Sequence, residues 1–296
     1  MKTVQLCVLL LFVAVSSPAQ PYNSEIINED TPYLLGKINQ EALTRPAYSE
    51  WFLSNRKDYR PNPEIINTLK KELGTYTITV FMGTWCGDSK REVPRFYKIL
   101  NEAQFPMERL TTVAVGQKKE IYKQSPGGEQ EGLNIHRVPT FIFYKEGKEI
   151  NRIVEHPVHS LEKDMMHILN SNYIPNYNGV TMINTALYQW GVEKFRKKSD
   201  KLVSKIQDVV SSFYELNTFS YVLMTSGKEE EAIAVAEFNV KLYPQDIKSY
   251  KALANRFKAY GKNQEAMAQY QKALRLDPGN KELIHTLDSL KKQDIK

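Results

Sequence analysis

One of the two cysteines, Cys86, lies where the chain changes from a strand pattern to a helix pattern. The residues before it form an apolar, β-branched run, and the residues after it place apolar side chains at helical spacing. A thiol at such a turn lies at a helix N-terminus, where unpaired N–H groups and the helix dipole favour the thiolate. The position three residues later, where a redox dithiol needs its second sulfur, is Ser89.

The first 19 residues have the pattern of a secretory signal peptide, with Lys2 before an apolar run at 6–15 and small residues at 17–19. The other cysteine, Cys7, lies inside this run. An uncleaved N-terminal anchor is the alternative, but the run is short for a membrane span. We expect cleavage before Gln20, which leaves an exported protein with one thiol and no internal disulfide.

Length and composition predict two ordinary domains and exclude some functions. The chain has 296 residues, of which 42% are apolar, enough for sizeable cores. The net charge of +6 is spread along the chain, which indicates a solvated surface and no nucleic-acid partner. The five histidines are scattered and the mature chain has no second sulfur, so we predict no metal site and no cofactor.

The segment after the signal is predicted as a domain of mixed helices and strands. Residues 20–62 are polar and predict an irregular N-terminal extension with a short helix near 49–53. A helix at 63–73 follows, then a strand buried on both faces at 77–82, a helix, and a strand at 110–115. This strand–helix–strand order predicts two parallel strands joined by a crossover helix.

The rest of this domain is predicted to end in a hairpin and a helix. Residues 117–131 form a polar loop, and two β-rich runs at 140–144 and 149–154 are separated by a turn signal. A final helix completes a domain that we place at 63–172. Breaker residues then predict a linker at 173–180.

The remainder, residues 181–296, is predicted to be helical and repetitive. Three residues recur about 34 positions later, which is the tetratricopeptide period: Gly227, Ala232 and Pro244 recur as Gly261, Ala266 and Pro278. We predict two repeats at about 213–246 and 247–280, with helices at 181–197 and 281–290 capping the ends. An ordinary helical bundle with coincidental spacing is the alternative.

Residues 63–170 resemble the thioredoxin superfamily. The resemblance rests on residue types and their order along the chain: Trp85-Cys86-Gly87 after a strand, Pro94 in the next helix, Val138-Pro139-Thr140 before a strand, and then the hairpin and helix. The C-terminal part separately resembles tetratricopeptide modules at the ends of exported bacterial proteins. The resemblance therefore implies an α/β thioredoxin-like domain, a mixed sheet flanked by helices, followed by an all-α domain, in a Gram-negative bacterium.

The resemblance also implies a site with a cis peptide bond before Pro139. The resemblance implies two catalytic residues, Cys86 and Ser89. The substrate-binding residues that it implies are Trp85, Gly87, Val138, Pro139 and Thr140. The sequence departs from the family because Ser89 replaces the second cysteine and Val80 stands near the position of the buried acid. The three histidines nearest this site in the sequence are interpreted as surface residues or, alternatively, as catalytic ones: His136, His156 and His159.

Two functions remain open from the sequence. One is an exported monothiol enzyme, a thiol–disulfide oxidoreductase or isomerase, acting on protein thiols or disulfides that the helical tail recruits. The other is a redox-silent thioredoxin-fold scaffold that binds a peptide or protein partner. Retention of Cys86 with Trp85 and Pro139 favours the first, and the missing second cysteine favours the second. Neither interpretation includes a stable membrane span after signal cleavage.

Overall fold

A computed structural model describes residues 22–27 and 31–294 of the chain. The predicted signal peptide therefore lies outside the described residues. A mixed sheet flanked by helices occupies the N-terminal part, and a helical region follows it. No helix in the described part of the chain combines the length and the apolar character that crossing a bilayer requires.

Six strands of the described chain form one sheet in the order β1-β2-β4-β3-β5-β6. The strands are β1 (Ser24–Ile26), β2 (Tyr33–Ile38), β3 (Thr77–Met82), β4 (Leu110–Ala114), β5 (Thr140–Lys145) and β6 (Lys148–Val154). The β3 and β4 strands are parallel, as the crossover pattern predicts, and the other neighbours are antiparallel. Val80 in the centre of β3 is in register with Thr112 on one side and Phe141 on the other.

One face of the sheet is covered by helices. The N-terminal part contains α1 (Gln40–Leu43), α2 (Pro46–Asp58), α3 (Pro63–Glu72), α4 (Gly87–Glu102) and α5 (Leu161–Leu169). Their apolar side chains join those of the sheet in a single core, which includes Val80, Phe96 and Phe141. Because Phe81 belongs to a separate cluster on the opposite face, β3 is buried on both sides, as its apolar run predicts.

The opposite face of the sheet is covered by a long connection, residues 115–139, which we call the β4–β5 loop. Its Ile135 and Val138 pack with Phe81, Val113 and Ile142 of the sheet. The loop contains a 3₁₀ turn at Lys119–Ile121 and a bridge between Gly116 and Tyr122. A polar connection thus supplies the apolar contacts that bury this face.

The prediction of an irregular extension at 20–62 is wrong. The segment supplies β2, which pairs with β4 inside the sheet, and the 13-residue helix α2. Tyr48 and Phe52 lie one helical turn apart on the buried face of α2. The sequence signal was weak because these two aromatic residues, rather than a stripe of aliphatic ones, hold the helix against α4.

The helical region contains seven helices among the described residues. They are α6 (Asn178–Trp190), α7 (Val192–Ile206), α8 (Phe213–Thr225), α9 (Glu229–Leu242), α10 (Ile247–Ala259), α11 (Asn263–Leu276) and α12 (Lys281–Asp294). The single helix predicted at 181–197 is wrong, because Gly191 adopts φ 73° and separates α6 from α7. The first of these helices also begins within the predicted linker.

The predicted 34-residue correspondence marks equivalent places in two helix pairs. Gly227 and Gly261 have φ angles of 74° and 72° in the turns after α8 and α10. Ala232 and Ala266 are both buried near the start of the second helix of each pair. A side chain larger than alanine there would separate the helices, so the geometry is consistent with repeats.

Replacing Phe52 tests whether α2 is part of the fold. Phe52 is 0% exposed, whereas its neighbour Leu53 is 53% exposed. We expect Phe52→Ala to lower the free energy of unfolding by about 3–5 kcal/mol, because it empties a packed site. Leu53→Ala is the control, with a change within about 0.5 kcal/mol. Urea unfolding measures both, and equal small changes would contradict the placement of α2.

Candidate functional site

Cys86 caps the N-terminus of α4, immediately after the turn that follows β3. Its backbone N–H donates to the Gly83 carbonyl at 2.9 Å, which closes the turn. Its own carbonyl accepts from the Lys90 N–H at 3.0 Å in the first turn of the helix. The side chain is half-buried. The thiol thus lies at a helix N-terminus, as the sequence predicts.

The Cys86 thiol contacts the start of β5. Its Sγ donates to the Val138 carbonyl at 3.2 Å, and the peptide bond between Val138 and Pro139 is cis, as predicted. The Pro139 carbonyl accepts from the Glu155 N–H at 2.7 Å, and Thr140 begins β5. The fold therefore brings four of the predicted site residues together across a large separation in sequence.

Trp85 lies against the β4–β5 loop. Its indole N–H donates to the Val115 carbonyl at 2.9 Å, and its ring centroid lies 5.9 Å from that of Tyr122. A Cβ on Gly83 would approach the indole to 2.5 Å, so only glycine fits beneath the ring. A Cβ on Gly87 would contact nothing within 4 Å. The absence of a side chain at Gly83 therefore leaves room for the Trp85 ring. The sequence pattern did not identify this glycine as part of the site.

Ser89 is buried in the first turn of α4, and its hydroxyl accepts from the Gly83 N–H at 3.1 Å. Thr84 is also buried, and its hydroxyl accepts from the Leu34 N–H at 3.0 Å. These two bonds hold the turn before Cys86 from both sides. The contribution of β2 through Leu34 was missed because the segment had been interpreted as an extension.

Lys123 is a buried cation that the sequence analysis did not identify. It lies in the β4–β5 loop with 4% exposure, and its ammonium donates to the His136 carbonyl at 2.6 Å. Burial lowers the pKa of Lys123 to about 7, and Arg137 acts in the same direction, whereas the charges of Cys86 and Glu155 oppose the shift. No sequence pattern distinguishes Lys123 from the exposed lysines just before it in the loop.

The three histidines occupy different environments. His136 is buried between the rings of Tyr177 and Phe219, with centroid distances of 5.9 and 6.0 Å. Burial lowers the pKa of His136 to about 3, with smaller contributions in the same direction from nearby cations. His156 pairs with Glu155 at 3.6 Å, and His159 contacts the buried Asp164 at 3.0 Å. His136 therefore lies in a packed contact between the β4–β5 loop and the helical region rather than at the surface.

The helical region packs against the β4–β5 loop close to Cys86. Tyr221 of α8 lies 5.4 Å from the Tyr122 ring, which in turn packs on Trp85. The Gln124 side-chain amide donates to the Thr225 carbonyl at 2.5 Å. Loop and helix enclose a cleft of about 380 Å³, whose lining residues are Gln117, Lys119, Tyr122, Asn217, Thr218 and Tyr221.

The chemistry that this arrangement permits is that of a thiol. Within residues 22–27 and 31–294, no group of three or more His, Cys, Asp or Glu side chains is arranged to hold a metal ion. The sulfur lies at a helix N-terminus, and the cation Lys123 interacts with it electrostatically. The thiolate is the form in which a cysteine acts as a nucleophile.

Comparisons with known proteins agree with this geometry. No family model matches the chain. Thioredoxin H-type from Oryza sativa subsp. indica is 31% identical over 87 residues, which are 29% of this chain and 63% of the rice protein. Thioredoxin Asp f 29 from Aspergillus fumigatus is 27% identical over 71 residues, 24% of this chain and 57% of that protein.

The N-terminal part of the chain has a thioredoxin-like fold. Its mixed sheet, its cysteine at the start of α4 and its sequence similarity to two thioredoxins agree. The chain spans less than two thirds of the length of either relative, and the matches cover less than a third of the chain.

The burial of His136 predicts a pH dependence of stability. Its pKa is about 3 in the fold, below the usual value of 6.5, so between these values the unfolded chain binds more protons. The free energy of unfolding therefore falls as the pH falls from 6.5 towards 3, by at most about 1.4 kcal/mol per pH unit. We expect His136→Phe to reduce this slope in urea titrations.

The control for that titration is His285→Gln, because His285 is exposed on α12. Its stability should follow the wild-type pH profile throughout the acid range. A His136→Phe profile with the same acid slope as the wild type would show that His136 is not held neutral in the fold.

Proposed function

We propose that this protein is an exported thiol–disulfide exchange protein with one active-site thiol, Cys86, of the isomerase or mixed-disulfide type. The observation that carries the proposal is the half-buried residue Cys86 at the N-terminus of α4, whose sulfur lies 3.2 Å from the Val138 carbonyl in a thioredoxin-like fold. In this arrangement the thiol faces the residues that lead into β5.

The proposed reaction begins with attack of the Cys86 thiolate on a substrate disulfide. A new S–S bond forms between Cys86 and one substrate sulfur while the substrate disulfide breaks, and the departing thiolate takes a proton from solvent. Ser89 stands where a resolving thiol would attack this mixed disulfide, and a hydroxyl does not perform that step. An external thiol, or a second thiol of the substrate, must therefore release the product.

Export and recruitment belong to the same proposal. The pattern at residues 1–19 supports a cleaved signal and an exported protein. The resemblance of the tail to modules of exported bacterial proteins supports a periplasmic or secreted location, in a Gram-negative bacterium. The two helix pairs support tetratricopeptide-like repeats, which present surfaces to extended partners. We propose that this tail recruits protein substrates, because α8 forms one wall of the cleft beside the Trp85 and Tyr122 rings.

The second candidate is a redox-silent scaffold. It is favoured by the packing of Tyr221 on the β4–β5 loop, which covers one flank of the site that a substrate would approach. In that case the Cys86 thiol is only part of the core around Phe81 and Val138. Alkylation of the native protein by iodoacetamide separates the candidates. A rate no faster than that of a buried thiol supports the scaffold.

Turnover experiments test the proposed reaction. Mature protein mixed with a disulfide substrate, without any other thiol, should release about one equivalent of substrate thiol and then stop, because Ser89 does not resolve the mixed disulfide. Added glutathione should restore continuous turnover. Cys86→Ser is the control and should release nothing. Repeated turnover of the wild type without an added thiol, with a substrate that carries no second thiol, would contradict the proposed role of Ser89.

Tyr221→Ala tests the contribution of the tail. In the recruitment proposal Tyr221 contacts the substrate, and loss of an aromatic contact worth about 1 kcal/mol should slow exchange with a protein disulfide about fivefold. The rate with a small reagent such as iodoacetamide should change less than about twofold, because Cys86 itself is unaltered. Tyr188→Ala is the matched control, since Tyr188 of α6 is 91% exposed. Equal effects on both reagents would argue against recruitment by α8.

A further inference from the structure

A second cavity, of about 420 Å³, lies between the β4–β5 loop and the helical region, and it shares no lining residue with the cleft beside Tyr122. Its walls come from the loop, from α6 and from α8. Phe219 and Leu223 of α8 are buried in its wall, whereas Glu131 and Lys228 are exposed at its rim. A cavity of this volume, with apolar walls and a few polar groups, has the properties of a small-molecule site.

The cavity is also lined by Lys123, which is 4% exposed. Its ammonium donates to the His136 carbonyl at 2.6 Å and lies 4.8 Å from the centre of the Tyr122 ring. An ammonium has three donors, so these contacts leave at least one donor without a partner. No salt bridge joins Lys123 to a carboxylate of the described residues, and the nearby Glu155 is bound to Arg137 at 3.0 Å. A buried cation in this state is costly unless an anion reaches it.

Two amide side chains in the cavity wall also lack partners. The Oδ1 atom of Asn134, in the loop, is buried and makes no hydrogen bond with the described residues. Asn184, on α6, is half-buried, and its side chain makes no hydrogen bond with the described residues either. Because buried polar groups normally find a partner, these amides are available to a polar group of a ligand.

These groups together select one class of ligand. A buried cation without an anion requires a negative charge, and a carboxylate accepts from both an ammonium and an amide NH₂ group. A dianion such as phosphate fits less well, because one buried cation does not balance two charges. The buried rings and methyl groups of Phe219 and Leu223 require an apolar body on the same molecule.

We propose that this cavity binds a small organic carboxylate, with its charged group at Lys123 and its apolar body against Phe219 and Leu223. The site lies where the thioredoxin-like part and the helical region meet, so the ligand contacts both. The inference goes beyond the proposed function, because no part of it involves the chemistry of Cys86.

The test is an NMR titration of the full-length protein with 3-phenylpropanoate, which carries one carboxylate and one phenyl ring. At about pH 6 the acid is ionised and Lys123 is protonated, since burial lowers the pKa of Lys123 to about 7. We expect binding in the millimolar range or tighter, with shifts of the Asn134 and Asn184 side-chain signals. The neutral 3-phenylpropanamide should bind at least about tenfold more weakly, because it lacks the charge.

Two results of this titration overturn the proposal. One is the absence of binding by 3-phenylpropanoate, and equally by hexanoate, up to about 10 mM. The other is equal binding of the acid and the amide, which would show an apolar cavity without an anion site.

Lys123→Met tests the charged end of the site, because it removes the charge and keeps a side chain of similar length. We expect at least about tenfold weaker binding of 3-phenylpropanoate. Lys118→Met is the matched control, since Lys118 is an exposed lysine of the same loop, and it should bind as the wild type does. A folded Lys123→Met protein with the affinity of the wild type overturns the proposal.

Val222→Phe decides the matter if Lys123→Met does not fold. Val222 of α8 lines the cavity and is half-buried, so a larger side chain there occupies the space of the ligand without entering the core. We expect about tenfold weaker binding, and an unchanged affinity overturns the proposal. Failure of the proposed function is a separate result, slow alkylation of Cys86 by iodoacetamide, and it leaves the titration unchanged.

Discussion

The contact between the Cys86 thiol and the Val138 carbonyl joins two segments 52 residues apart in the chain. It exists because β5 lies beside β3 in the sheet, with Val80 opposite Phe141 and Phe81 opposite Thr140. This register places the turn after β3 against the residues that precede β5. Two further features position Trp85 in the same turn. Gly83 has no side chain and so leaves room for the indole ring, and the indole N–H donates to the Val115 carbonyl.

The β4–β5 loop has two functions in the fold. Its apolar side chains bury the face of the sheet that the helices leave uncovered. Its polar side chain Gln124 donates a hydrogen bond to the helical region. His136 lies at the contact between the β4–β5 loop and the helical region. Its ring packs between Phe219 of α8 and Tyr177, the residue before α6. A neutral imidazole suits that position, because a charged one without a carboxylate partner is costly in an aromatic environment.

Because the helical region packs against the β4–β5 loop, it also lies close to the Cys86 thiol. Tyr221 reaches Tyr122, and Arg256 of α10 in turn lies over the Tyr221 ring at 5.1 Å. Arg256 is itself buried and donates to the Ser220 hydroxyl at 2.9 Å, which ties α10 to α8. The repeats and the site are thus connected through a series of packed side chains.

Much of this protein was determined by local sequence pattern. Apolar runs and breakers placed β3, β4, β5, β6 and α4, and the strand-to-helix change placed Cys86 at a helix N-terminus, because strand and turn signals act over a few residues. The cis peptide bond before Pro139 was expected from the resemblance to the thioredoxin superfamily. The 34-residue recurrence located the turns at Gly227 and Gly261, because each turn needs a glycine at the same place in its helix pair. The tertiary structure alone decided the positions of β2 and α2, of Lys123 and of Tyr221. Sheet pairing, aromatic packing and the burial of a lysine depend on partners far away in the chain, and nothing in the residues next to them specifies those partners.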